Sequence, residues 1–114
     1  MVNSVTERDR FPRYSLERIR ELASSEKVVY CGTRVGIDIG NLGLNLEAVC
    51  NCIAQLDAAA HFRHSERYAA DGPWHDVYGC AWSASGGPAD DLYIKLRLGR
   101  SCLIVDLCSF HLDR

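Results

Sequence analysis

"DLYIKLRL", residues 91–98, decides the fold. Apolar and polar residues alternate through it. Leu92, Ile94, Leu96 and Leu98 fall on one face of an extended chain, and Tyr93, Lys95 and Arg97 on the other. This period of two predicts a half-buried strand with its Leu/Ile face packed on something apolar. "SCLIVDLCSF", 101–110, is its expected antiparallel partner, joined through a tight hairpin turn at Gly99-Arg100. Being more uniformly apolar, it reads as central or covered. Upstream, "WHDVYGCAW", 74–82, is rich in aromatic and β-branched residues and reads as a further strand, entered through Gly72-Pro73. "SASGGPAD" is the loop between.

The cover for the sheet comes from the first half of the chain. "YSLERIRELASS" predicts a helix capped by Ser15, with Leu16, Ile19, Leu22 and Ala23 on one face. "KVVYC", 27–31, reads as a short strand or extended connector. "GTRVGIDIGNLGLN" holds four glycines and predicts only a weak helical turn between loops. Asn45 caps "LEAVCNCIAQL", whose stripe is Leu46, Val49, Cys50, Ile53 and Leu56, with Cys52 off its centre. Asp57 is the expected cap of a further short helix, "AAAHFRHSER". Residues 1–13 read as a flexible arm and 14–114 as one domain. Helices first, then an antiparallel meander, is an α+β order, with N-terminal helices packed on one face of a small C-terminal sheet.

With 47% hydrophobic and 25% charged residues, the chain supports one modest soluble core. No apolar run approaches the roughly 18–20 residues of a membrane span. The N-terminal stretch is polar, without a signal-peptide core, so the expected compartment is the cytoplasm, with no membrane partner. Six cysteines lack any C-x-x-C spacing, and the reading is reduced thiols in core positions and no metal site. A net charge of −2 argues mildly against a dedicated nucleic-acid binder. Lys95, Arg97 and Arg100 nonetheless form a local basic stretch with no acid among residues 92–105.

The polar face of 91–98 carries most of the chemistry. A phenol and two cations, spaced roughly 7 Å apart along a strand, suit a phosphate ester. The cations offset charge on the phosphorus centre, and the phenol stacks on a base or donates a hydrogen bond. An ordinary solvated sheet face is the bland alternative. His61, His64, His75 and His111 each read first as surface or satisfied polar residues, yet any could act as base or acid near neutral pH. The chain has no P-loop, no G-x-G-x-x-G and no Ser-His-Asp order.

"YSLERIRELAS", "LGLNLEAVCNCIAQLDAAAHFRHS", "WHDVY", "LYIKL" and "CLIVDL" follow one another at spacings that resemble the MqsR family of bacterial toxins, the motility quorum-sensing regulators of type II toxin–antitoxin systems. The resemblance covers roughly residues 12–110. It rests most on Trp74, Asp76, Val77 and Tyr78, followed by the Tyr93-x-Lys95 strand. It implies a RelE-like fold and a ribosome-independent mRNA endonuclease that prefers short sequences such as GCU. The implied chemistry needs no metal or other cofactor: the ribose 2′-OH attacks the adjacent phosphate, leaving a cyclic phosphate and a free 5′-OH. The implied partner is a cognate MqsA-like antitoxin, a zinc-binding helix-turn-helix protein.

Carried over residue by residue, the family's strand Tyr is Tyr93, beside Lys95. The family's Gln before Asp-Val-Tyr is His75, and a family Lys falls near His64. The family's C-terminal Lys falls on Cys108, with His111 or Arg114 the candidates to replace it. The resemblance therefore assigns His75 and His64 to acid–base roles. Tyr93 positions RNA, and Lys95, Arg97 or Arg100 offset phosphate charge, with His111 a further RNA contact. The alternative is a weak or inactive family member that acts as a protein- or RNA-binding module.

Overall fold

The computed structural model describes residues 7–113. Its elements are β1 (Glu7–Asp9), α1 (Leu16–Ser24), β2 (Val28–Tyr30), α2 (Thr33–Asn41), α3 (Leu46–Ala54), α4 (Ala58–His61), β3 (Phe62–Arg67), β4 (His75–Trp82), β5 (Asp90–Leu98) and β6 (Val105–Leu112). The strands form one six-stranded sheet in the order β1-β3-β4-β5-β6-β2. All pairs are antiparallel except β2 with β6. The fold is α+β, as the patterning implies, and compatible with the RelE-like fold that the resemblance implies.

The period of two in β5 becomes the core. Leu92, Ile94 and Leu96 are all but inaccessible, and Leu98, at the strand end, is half-buried. They meet Val105, Leu107 and Phe110 of β6, Ile19 and Leu22 of α1, and Val49 and Ile53 of α3. The helix caps fall where the sequence puts them. Ser15 Oγ accepts the Arg18 N–H at 3.2 Å, and Asn45 Oδ1 accepts the Ala48 N–H at 2.9 Å.

Several local expectations give way to tertiary packing. Residues 33–41 are a nine-residue helix rather than a weak turn. Val35 and Ile39, one helical turn apart, are both buried, and their burial outweighs the cost of Gly36 and Gly40 within it. Cys52 is fully buried, not off the stripe. Its sulfur lies 3.8 Å from that of Cys80, and both thiols are free. The helix after Asp57 stops at His61, and residues 62–67 are the strand β3. β3 is held on both sides, by β1 and β4, and this pairing overrides the helical preference of its residues.

Part of the arm read from the sequence is also structured. Residues 7–9 pair with β3 in antiparallel register, and the chain beyond them is pinned. The buried Asp76 carboxylate accepts the backbone N–H of Arg13 at 2.9 Å and that of Tyr14 at 3.0 Å, while the Tyr14 hydroxyl donates to the Trp74 carbonyl at 2.6 Å. The Trp74-x-Asp76 motif is thus largely an anchor for the entry to α1. The β5–β6 connection is longer than a tight hairpin. Residues 100–102 form a 3-10 turn with Ser101 and Cys102 at positive φ, and β6 begins at Val105, not at residue 101.

Candidate functional site

The helices cover one face of the sheet and the other carries the polar residues. Two register shifts shape that face. One lies between Phe62 and His64 on β3, where Arg63 is the extra residue. Its guanidinium crosses Gly79, where a Cβ would sit 2.2 Å from Arg63 Nη2, and pairs with Asp113. Gly79 is therefore required for this close approach. The other shift lies opposite Lys95 and Leu96, where Cys108 of β6 has no cross-strand partner.

With those shifts the face reads in rows across the strands. His64 is opposite Val77, which is opposite Lys95, which is opposite Ser109. Glu66 is opposite His75, and Arg97 opposite Asp106. Gly79, Tyr93 and His111 form a third row. The Tyr93 and His111 rings stack at 5.0 Å between centroids and 11° between planes.

Glu66 is the hub. Only 4% of it is exposed, and its carboxylate lies 2.9 Å from His64 Nε2, 3.6 Å from Lys95 Nζ and 4.0 Å from Arg8 Nε. Tyr68 donates its hydroxyl to Glu66 and accepts a hydrogen bond from Lys95. Burial alone would push the Glu66 carboxyl up. The hydrogen bonds from Tyr68 and His64, with the Lys95 charge, outweigh this and hold it below the ordinary carboxylate range. Tyr68 moves the other way, because burial and the adjoining carboxylate both disfavour a phenolate.

His75 sits beside this cluster, its ring 6.2 Å from that of Tyr68. Its Nδ1 is enclosed, with no hydrogen-bond partner among the described residues, so Nε2 is the nitrogen left to meet a ligand. Burial, and then the Lys95 and Arg97 charges, lower its pKa below the ordinary imidazole value. His75 is neutral at pH 7, as a base requires.

The structure brings His64, His75, Tyr93, Lys95 and His111 onto this one face. Arg97 shares it but is tied to Asp106 at 3.1 Å, which offsets its charge within the protein. Arg100 falls in the turn after β5; its side chain, like Arg114, lies outside the described residues. The Cys108 position holds a half-buried thiol pushed up to about 11 by burial and by Cys31, so no cation stands there. The patterning missed Arg63, Glu66 and Tyr68 because 58–67 read as a helix. His64, Glu66 and Tyr68 recur every second residue, and that was the available signal.

A small α+β domain with helices on one sheet face and a half-buried row of imidazoles, phenols and a lysine on the other has the build of a RelE-like toxin. The chain belongs to the MqsR toxin family: the family model described as "Motility quorum-sensing regulator, toxin of MqsA" matches residues 11–111. No curated protein matches the chain. Membership makes it a toxin of a toxin–antitoxin system, with an antitoxin as partner. No helix among the described residues is long and apolar enough to cross a membrane.

Proposed function

We propose that the chain is a ribosome-independent, metal-independent mRNA endoribonuclease of the cytoplasm, neutralised by a cognate MqsA-like, zinc-binding helix-turn-helix antitoxin. The observation that carries this reading is the pair of histidines in contrasting settings on one face. His75 is neutral with Nε2 available, while His64 has its Nε2 on the Glu66 carboxylate. In the proposed step His75 takes the proton of the ribose 2′-OH. The 2′-oxygen then bonds to phosphorus, and the bond from phosphorus to the 5′-oxygen breaks. His64, protonated and held by Glu66, gives its proton to that 5′-oxygen. The products are a 2′,3′-cyclic phosphate and a 5′-OH. Lys95 offsets charge on the phosphoryl oxygens, and Tyr93 with His111 stacks on a base. Two imidazoles and an ammonium supply every proton and charge the step needs.

The test is cleavage of RNA by the purified chain with chelator present. Cleavage should persist, leave cyclic phosphate ends and stop at a position carrying a 2′-deoxyribose. His75→Ala should lower the rate roughly 10²-fold or more. Full activity in His75→Ala at unchanged stability would remove His75 from the mechanism. A second reading, a weakly active or inactive member that binds RNA or protein, is favoured by one feature. Cys108 supplies no cation, while Asp106 and Glu66 draw on those that remain. Tight RNA binding without cleavage would select it.

A further inference from the structure

β2 pairs with β6 only over Val105–Leu107. Beyond that point α2, not a strand, flanks β6, and between them lies a cleft of about 470 Å³. Its volume is within the roughly 300–1,000 Å³ of small-ligand sites. We propose that this cleft is a nucleobase pocket, which takes the base of a nucleotide flanking the scissile phosphate and so sets the sequence at which RNA is cut. The proposal rests on the RNase reading and adds a recognition site to it.

Three features point to a base. The first is continuity with the cleavage face. His111 lines the cleft, and the same ring stacks on Tyr93 at 5.0 Å. A base seated there meets the edge of the ring whose face Tyr93 covers. The second feature is charge. Arg34 is the cleft's one Lys or Arg among the described residues, and its Nε lies 3.1 Å from Asp38 Oδ1. A phosphate site would hold unpaired cations; this lining is balanced and suits a neutral polar ligand.

The third feature is the mix of surfaces. Val35 and Leu112 give apolar walls for a flat ring. Asn41 offers an amide donor and an amide acceptor, and Ser109 a hydroxyl. The His111 Nδ1 lies 2.8 Å from the Leu112 carbonyl, so it carries the proton and leaves Nε2 as an acceptor. Apolar faces with donors and acceptors at the edge are the chemistry of a nucleobase, which proteins read by stacking and by hydrogen bonds to its edges.

The experiment compares the wild-type chain with Asn41→Ala and Ser109→Ala, neither of which has a part in the proposed proton transfers. Cleavage ends are sequenced from a random RNA pool, and each full-length protein is also titrated with adenosine, guanosine, cytidine and uridine while the Asn41 side-chain amide is followed by NMR. The expected result is that both variants still cut RNA, more slowly at the preferred base, and lose base discrimination at one position by about tenfold, the scale of a lost base-edge contact. At least one nucleoside should shift the Asn41 amide. Active variants with the wild-type preference at every position would overturn the proposal. If the wild type cuts no RNA, the RNase reading fails on its own, and the titration decides the pocket: a nucleoside-dependent shift supports it, and no shift with any nucleoside at millimolar concentration overturns it.

Discussion

β3 and β5 both carry residues of the open face, and they are built in opposite ways. β5 is made by its inner side: Leu92, Ile94 and Leu96 are each at most 1% exposed. β3 has little apolar inner side beyond Phe62, which meets Tyr78 edge-on at 5.5 Å. Its buried residues are Ser65 and Glu66. It is a strand because β1 and β4 pair with it on both sides, and because polar groups close around it. Ser65 Oγ donates to the Phe11 carbonyl at 3.0 Å, and Arg67 reaches both oxygens of Glu7, at 2.9 and 3.2 Å. The difference teaches that a strand can be fixed by its neighbours and by hydrogen bonds with hardly any hydrophobic rhythm of its own.

The largest effect should fall on β5. Ile94→Ala leaves a cavity in a fully buried site and should cost about 2–5 kcal/mol in urea unfolding. The matching change on β3, Ser65→Ala, removes a hydrogen bond and should cost about 1 kcal/mol. Equal losses would erase the contrast between the two strands.

The contrast also marks what could be read from the chain. β5, the α1 and α3 stripes and their caps at Ser15 and Asn45 follow from spacing, because each buries a regular apolar face. β3 and β1 do not, since their partners lie 56–60 residues apart along the chain, as with Arg67 and Glu7. The site divides along the same line. Tyr93 and Lys95 stand on the legible strand, and the resemblance singles out His75 by its place before Asp76. His64 rests on resemblance alone. Glu66, which holds it, was invisible as long as the segment read as a helix. The alternation of His64, Glu66 and Tyr68 puts the three on one strand face, but it does not reveal that the carboxylate is buried among partners from β1, β3, β5 and the chain just after β3.

A middle-sized effect should therefore come from Glu66. Glu66→Ala strips His64, Tyr68 and Lys95 of a shared acceptor and should cost about 2 kcal/mol, the scale of hydrogen bonds to a charged group. Glu66→Gln keeps the shape, loses the charge and should cost less. Because the folded carboxyl lies below its unfolded value, the stability it supplies is whole above about pH 4.3 and is lost as pH falls through the folded pKa. In Glu66→Gln that acid loss should shrink. Unchanged acid unfolding in Glu66→Gln would mean that the charge does not hold β3 to β5.

The smallest effect is a slope, and it tests the setting of His75 without any RNA. The folded imidazole lies below the ordinary value because of burial first, then Lys95 and Arg97, with Glu66 and Asp106 acting against them. Its unfolded value is near 6.5, so the unfolded chain takes up the proton first as pH falls. Folding is then favoured by a neutral His75. Its contribution is whole above about pH 6.5 and declines as pH drops toward the folded pKa. His75→Gln fills a similar space and cannot protonate. Between pH 7.5 and pH 5 its urea midpoint should fall less than that of the wild type, and the other histidines, common to both proteins, cancel in the difference. This window lies above the one in which Glu66 titrates, so the two effects separate. Parallel midpoints across the range would place His75 in ordinary solvent, and the neutral base proposed for cleavage would lose its physical basis.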